Sequence, residues 1–133
     1  MQELKHKHIL VNAEFLEKPP TVGDEELVEN WMRRLVQAVN MKIVIEPRAH
    51  YVTKEGNEGI TACTCIETSH AAMHVWDKTT PTMLRFDLYS CADFNPNTVI
   101  EMIKEFQPKK INYTVIDRDH EIHTTERAAF TIL

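Results

Sequence analysis

The stretch Glu67 to Trp76, ETSHAAMHVW, concentrates the residues whose types could do chemistry. Two histidines, His70 and His74, stand four apart, and a Thr-Ser pair precedes them. Four readings compete for it. As a zinc site it would draw on Cys63, Cys65 or Cys91. A spacing of four suits two ligands on one helix face, as in H-E-x-x-H. Here the segment alternates like a strand and no glutamate follows His70. On a strand the pair shares a face but is too far apart to converge on one ion, at roughly 3.3 Å of rise per residue. No metal is therefore expected. As a hydrolase nucleophile Ser69 would want a G-x-S-x-G elbow, which is absent. Cys63 and Cys65 could be a redox or metal pair, but strand alternation and the ordinary burial of cysteine explain their spacing. Met32, Met41, Met73, Met83 and Met102 are scattered and read as core filler. What remains is Ser69 between two strands, His74 after it, and Cys91 at the end of the next strand. An antiparallel sheet can make such positions neighbours. From the residues alone the group stays open between a site and a chance set of core polar groups.

The elements that must position these residues follow from periodicity. HILVNAEF, His8 to Phe15, is apolar and β-prone and predicts a first strand ended by Lys18-Pro19-Pro20. Asp24 to Asn40 predicts a helix, with Leu27, Trp31, Leu35 and Val39 on one stripe beside Val28 and Val36. Lys42 to Glu46 predicts a strand stopped by Pro47, then a polar loop from Arg48 to Glu58. Gly59 to Glu67, His70 to Trp76 and Met83 to Cys91 alternate as three more strands. Asn95-Pro96 is a helix start, an N-cap residue with proline at the first helical position. Val99, Ile100, Ile103 and Phe106 line that helix, and INYTVI, Ile111 to Ile116, is a further strand. The tail to Leu133 is ambiguous, with room for one more short strand. The order β-α-β-β-β-β-α-β predicts an α+β fold: a two-layer sandwich, an antiparallel sheet with two helices on one face.

Bulk composition bounds the rest. A chain of 133 residues is the size of a single domain, 1–133, with one core. At 43% apolar and 26% charged it is expected to fold and to be soluble. A net charge of −5, with no Lys/Arg cluster, argues against a nucleic-acid partner. No apolar run approaches the roughly 20 residues that span a bilayer, and the first residues lack a signal-like apolar core, so no membrane partner is expected. Three cysteines cannot all pair, which points to a reduced, cytoplasmic setting.

The residues resemble the prokaryotic S-adenosylmethionine decarboxylase family, whose members make their own pyruvoyl cofactor. That family carries a glycine and a small hydroxyl residue on one strand, then E-S-H, three residues and H-x-W. An acidic-apolar-aromatic-Ser/Thr-Cys run follows. This chain has GIT (Gly59 to Thr61), TSHAAMHVW (Thr68 to Trp76) and DLYSC (Asp87 to Cys91) in that order. HILVNAEF also resembles the family's first strand.

The resemblance implies that Ser69 is the precursor of the pyruvoyl group, with cleavage between Thr68 and Ser69. The Ser69 Oγ attacks the Thr68 carbonyl to give an ester, and elimination and hydrolysis leave the pyruvoyl end. The ketone then forms a Schiff base with the substrate amine and serves as the electron sink that side chains cannot offer. The same resemblance implies His74 as the acid or base of processing, Thr61 as its hydrogen-bonding helper and Cys91 as the proton donor to the product carbon. Cys91 must then be held as a thiol, since a thiolate cannot give a proton. Phe15 and Tyr51 stand on the substrate side, where aromatics suit an adenine face and a sulfonium cation. Glu67 is placed to meet the ribose or the ammonium group. The implied activity is decarboxylation of S-adenosylmethionine for polyamine (spermidine) synthesis, by a homodimer of processed protomers acting on a small-molecule substrate.

The chain departs from the family's pattern at Thr68, where glutamate is usual, and after Trp76, where DKTTPT replaces a W-P-E pattern. Two further readings therefore stand beside the first. One is a pyruvoyl-dependent decarboxylase of ornithine or arginine. The other is an uncleaved, non-enzymatic homologue that binds a nucleoside ligand or a partner subunit.

Overall fold

The computed structural model describes residues 4–132. It contains β1 (Lys7–Glu14), α1 (Glu25–Ala38), β2 (Ile43–Val52), β3 (Gly59–Ile66), β4 (Ser69–Trp76), β5 (Met83–Ser90), α2 (Pro96–Ile103), β6 (Lys110–Asp117) and β7 (His123–Thr131). The strands form one sheet in the order β2-β3-β4-β5-β1-β6-β7. Every neighbouring pair is antiparallel. The α+β sandwich expected from the sequence is what forms.

Alternation decides which side chains the helices cover. Ala71, Met73 and Val75 of β4 are buried, and so are Leu84, Phe86 and Leu88 of β5 and Ile9, Val11 and Ala13 of β1. These meet Val28, Trp31, Met32, Leu35 and Val36 of α1 and Val99, Ile100 and Ile103 of α2. Trp31 is the centre: its ring packs edge-on against Phe86 with centroids 5.5 Å apart, and its Nε1–H donates to the Met102 carbonyl at 3.1 Å. Each such side chain contributes about 1.5–3 kcal/mol when fully buried. The alternate residues, among them His8, Thr61, Cys63, His70, His74 and Asp87, lie on the sheet's other face, which no described element covers.

Local signals set the ends. The Asn95 side chain accepts from the Asn97 N–H at 2.9 Å and Pro96 opens α2, as its sequence predicts. Glu25 and Glu26 sit in the first turn of α1, where the helix dipole favours acids.

Several expectations are corrected. β2 does not stop at Pro47 but continues to Val52, so Tyr51 is in a strand and not a loop. The strand tolerates proline because it is at the sheet edge, and its register shifts between Ile45 and Arg48. Leu27 is exposed, because the buried stripe of α1 runs one position over, through Val28. Cys63 and Cys65 are exposed on the uncovered face and are not core residues. The ambiguous tail forms a nine-residue strand, β7, at the other edge. None of the described helices is long and apolar enough to cross a membrane.

Gly59 locks β3 to the end of β4. Its φ is +145°, and a Cβ there would meet the Val75 carbonyl oxygen at 1.6 Å. Gly59→Ala is expected to cost on the order of 1–3 kcal/mol. Equilibrium denaturation checks this, and an unchanged midpoint would contradict it.

Candidate active site

The site begins at the β3–β4 hairpin. Ile66 pairs with Ser69, leaving Glu67 and Thr68 as a two-residue turn. Ser69 has φ +148°, a backbone region that side-chain-bearing residues rarely adopt and that stores strain. The turn is fastened on both sides. The Glu67 N–H donates to the Lys42 carbonyl at 2.9 Å, and the Cys91 N–H donates to the Thr68 carbonyl at 2.9 Å. Cys91, just past β5, is itself held by the Lys5 N–H on its carbonyl at 3.0 Å. The Thr68 hydroxyl turns toward the Met41 sulfur at 3.3 Å. Thus the carbonyl that an attack by Ser69 would charge already carries a backbone donor, the arrangement that stabilises an oxyanion.

On the uncovered face a polar cluster abuts Ser69. Its Oγ is 3.1 Å from His70 Nδ1. His70 Nε2 is 3.6 Å from Asp87 Oδ2, and His8 Nε2 meets the same oxygen at 2.9 Å. Arg118 Nη1 donates to His8 Nδ1 at 3.3 Å. The Tyr89 ring fills the centre, with His70 stacked at 6.0 Å and the Arg118 guanidinium 4.0 Å above it. Cross-strand register assembles this group: His70 pairs with Tyr89, and Tyr89 with His8. Of its members sequence reasoning singled out only His70, as a rejected ligand. Alternation puts all of them on one face, but the register that joins them is not readable from periodicity.

His74 lies elsewhere. It pairs with Thr61 on one side and Arg85 on the other. Five residues of extended strand put it about 16 Å from Ser69. Its Nδ1 makes a short hydrogen bond with the Thr61 hydroxyl, and its ring packs on Trp76 at 4.1 Å. Among the described residues its Nε2 is buried with no well-formed hydrogen bond. Burial pushes the imidazole below its ordinary pKa, against a smaller upward pull from the Asn57 backbone.

The structure therefore brings Thr68, Ser69 and Cys91 together at one end, and Thr61 and His74 together at the other. Phe15 is exposed just past β1, whose last residue pairs with Met83, so it belongs to the His74 end. Tyr51 points to the helix side: it pairs with buried Ile60, packs against the core, and its hydroxyl donates to Asp77 at 3.0 Å. Glu67 is exposed in the turn. With Thr68, Met41, Asp93, Asn95 and Thr98 it lines a cavity of about 600 Å³ beneath the hairpin. Among the described residues no group of three or more His, Cys, Asp or Glu could hold a metal ion.

Comparison with known proteins gives a family and a fold. Residues 7–119 match the family model described as S-adenosylmethionine decarboxylase. The crystal structure of the adenosylmethionine decarboxylase from Aquifex aeolicus VF5 superposes with a TM-score of 0.69 at 19% identity, covering 93% of this chain and 98% of that one. At that identity the likeness is one of fold. A phage SAM lyase in complex with S-methyl-5'-thioadenosine gives a TM-score of 0.43 at 7% identity, covering 96% of this chain and 90% of that one. That score is too low to carry an argument.

The depressed His74 fixes a sign. A histidine whose folded pKa lies below its unfolded value contributes stability above about pH 6.5. That contribution is lost as the pH falls through the folded pKa. NMR titration of the His74 ring is expected to give a midpoint below about 6.5. A midpoint at or above that value would contradict the burial of its Nε2.

Proposed function

We propose that this chain, which belongs to the S-adenosylmethionine decarboxylase family, is a self-processing, pyruvoyl-dependent decarboxylase. In this reading it acts on S-adenosylmethionine and yields the aminopropyl donor for spermidine synthesis. The observation that carries the reading is the Thr68–Ser69 bond: Ser69 is strained at φ +148° and the Thr68 carbonyl already accepts the Cys91 N–H at 2.9 Å.

The residues present fit the cofactor's formation. Ser69 Oγ attacks the Thr68 carbonyl carbon, and the Cys91 N–H takes up charge on its oxygen. Release of the strained φ favours the ester. Thr68, where the family has glutamate, is branched at Cβ and crowds that carbon, so cleavage is expected to be slower than with an unbranched residue. The pyruvoyl carbonyl at position 69 supplies the electron sink that decarboxylation requires. The Cys91 side chain, half-buried one residue past β5, delivers the proton to the product carbon. Free thiols at Cys63, Cys65 and Cys91 fit a reducing, cytoplasmic compartment.

A second copy completes the site. His74 is about 16 Å from its own Ser69, beyond any side chain's reach. In an isologous dimer residue i meets j and j meets i. Uncovered faces packed about an axis midway along β4 would bring His74 of one protomer to the Ser69 end of the other. They also cover exposed Leu10, Cys63 and Cys65. Thr61 then holds the ring that serves the partner, and Phe15 and Glu67 meet at one substrate. Tyr51 faces the opposite layer, so its role in this reading is to hold Asp77 and not to stack on adenine.

Carbon dioxide release tests the chemistry. S-adenosylmethionine is expected to be decarboxylated, ornithine and arginine not; the reverse preference would move the substrate within the same chemistry. Cys91→Ala should process and turn over poorly, and full turnover would remove its role. Co-expressed Ser69→Ala and His74→Ala chains test the dimer. Cleavage of the His74→Ala chain only in the mixture is expected, and no complementation would contradict a shared site.

A further inference from the structure

We propose that His70 is the base that takes the Ser69 hydroxyl proton in the first step of self-processing, and that Asp87 sets the tautomer in which it does so. This rests on the self-processing reading above and deepens it.

The geometry assigns the protons. His70 Nε2 lies 3.6 Å from Asp87 Oδ2, past hydrogen-bond length but near enough for the carboxylate's charge to favour a proton on that nitrogen. That leaves the lone pair of the neutral ring on Nδ1, which lies 3.1 Å from Ser69 Oγ. The hydroxyl therefore donates to His70. The same logic fixes His8. Arg118 only donates, so His8 Nδ1 accepts from it and His8 Nε2–H donates to Asp87 Oδ2 at 2.9 Å. Asp87 is thus held by one histidine while it orients the other. Tyr89, stacked on His70 at 6.0 Å, keeps the ring plane from turning away. His74 has no comparable access within the protomer, and its Nδ1 is committed to Thr61.

The step balances without a co-reactant. A bond forms between Ser69 Oγ and the Thr68 carbonyl carbon while the hydroxyl proton passes to His70 Nδ1. The bond from that carbon to the Ser69 nitrogen breaks, and His70 returns the proton to the departing amine. A peptide becomes an ester, with no change in oxidation state. The division of labour follows. His70 acts inside the protomer before the ester exists, and the partner's His74 is left for the later elimination.

The test is the first-order cleavage rate of freshly made chain, read by mass. A positioned base is worth about 10²–10⁴ in rate, so His70→Ala should slow cleavage at least 100-fold. His70→Gln, which keeps hydrogen bonding without a usable base, should be equally slow. Added imidazole should restore part of the rate in His70→Ala, a response that a merely structural defect would not show. His70 is nearly half exposed, so both variants should keep the parent's thermal midpoint and admit imidazole. Asp87→Glu should retain more activity than Asp87→Asn. Hydroxylamine, which splits esters, should not cut His70→Ala, because no ester has formed. Cleavage of His70→Ala at the parent rate, or its splitting by hydroxylamine, would overturn the assignment while leaving self-processing intact. A parent chain that never cleaves would overturn both.

Discussion

The hydrogen bond from the Cys91 N–H to the Thr68 carbonyl joins the two halves of the proposed chemistry. It ties the β3–β4 turn to the end of β5, so that residues 23 positions apart share one corner of the sheet. The Lys5 N–H on the Cys91 carbonyl and the Glu67 N–H on the Lys42 carbonyl brace that corner from either side. With both neighbours of the peptide fixed, Ser69 has little freedom to relax from φ +148°. Strain at one residue persists only where the surroundings over-determine it. Here the antiparallel ladder and the buried face of β4 and β5 supply that constraint, and Trp31 against Phe86 anchors the buried face to α1.

The same sheet separates what the proposed chemistry needs together. A strand rises about 3.3 Å per residue, so the five steps from Ser69 to His74 cannot be closed by side-chain motion. The uncovered face carries one polar group at each end: His70, Asp87 and His8 beside Ser69 at one, Thr61, His74 and Trp76 at the other. Among the described residues His74 Nε2 is buried without a well-formed hydrogen bond, with the Asn57 backbone as a polar neighbour of the ring. A buried polar atom left unpaired costs free energy of about 1–3 kcal/mol. Two-fold packing of that face would give it a substrate or a second chain to meet. Strand geometry thus keeps Ser69 and His74 apart within one chain, which is what the proposed shared site would answer.

Much of this is legible in the sequence, and the failures have physical causes. Alternation separated Ala71, Met73 and Val75 from His70, Ala72 and His74, because a sheet buried on one face writes a period of two. The cap at Asn95-Pro96 is local chemistry and reads directly. Pro47 reads as a strand stop, yet β2 runs on, because proline breaks an interior strand but not an edge strand with shifted register. That extension carries Tyr51 with it: one position of phase decides whether an aromatic faces substrate or core. Leu27 belongs to the apolar stripe by spacing but lies one helical position outside the buried one. The His70–Asp87–His8 group was hidden because it depends on which strands are neighbours. β1 lies between β5 and β6, which only the folded chain shows. The family pattern marked Ser69, Thr68 and Cys91, and the structure gathers those three at one corner.

Thr68 is the residue on which the account turns, since a threonine stands where the family pattern has glutamate, at the bond that the proposed processing would break. The mass of the intact, denatured chain tests it most directly. The account predicts two fragments, residues 1–68 and 69–133, the second beginning with a pyruvoyl group. A single uncut species of 15.5 kDa, unchanged on long incubation, would contradict it.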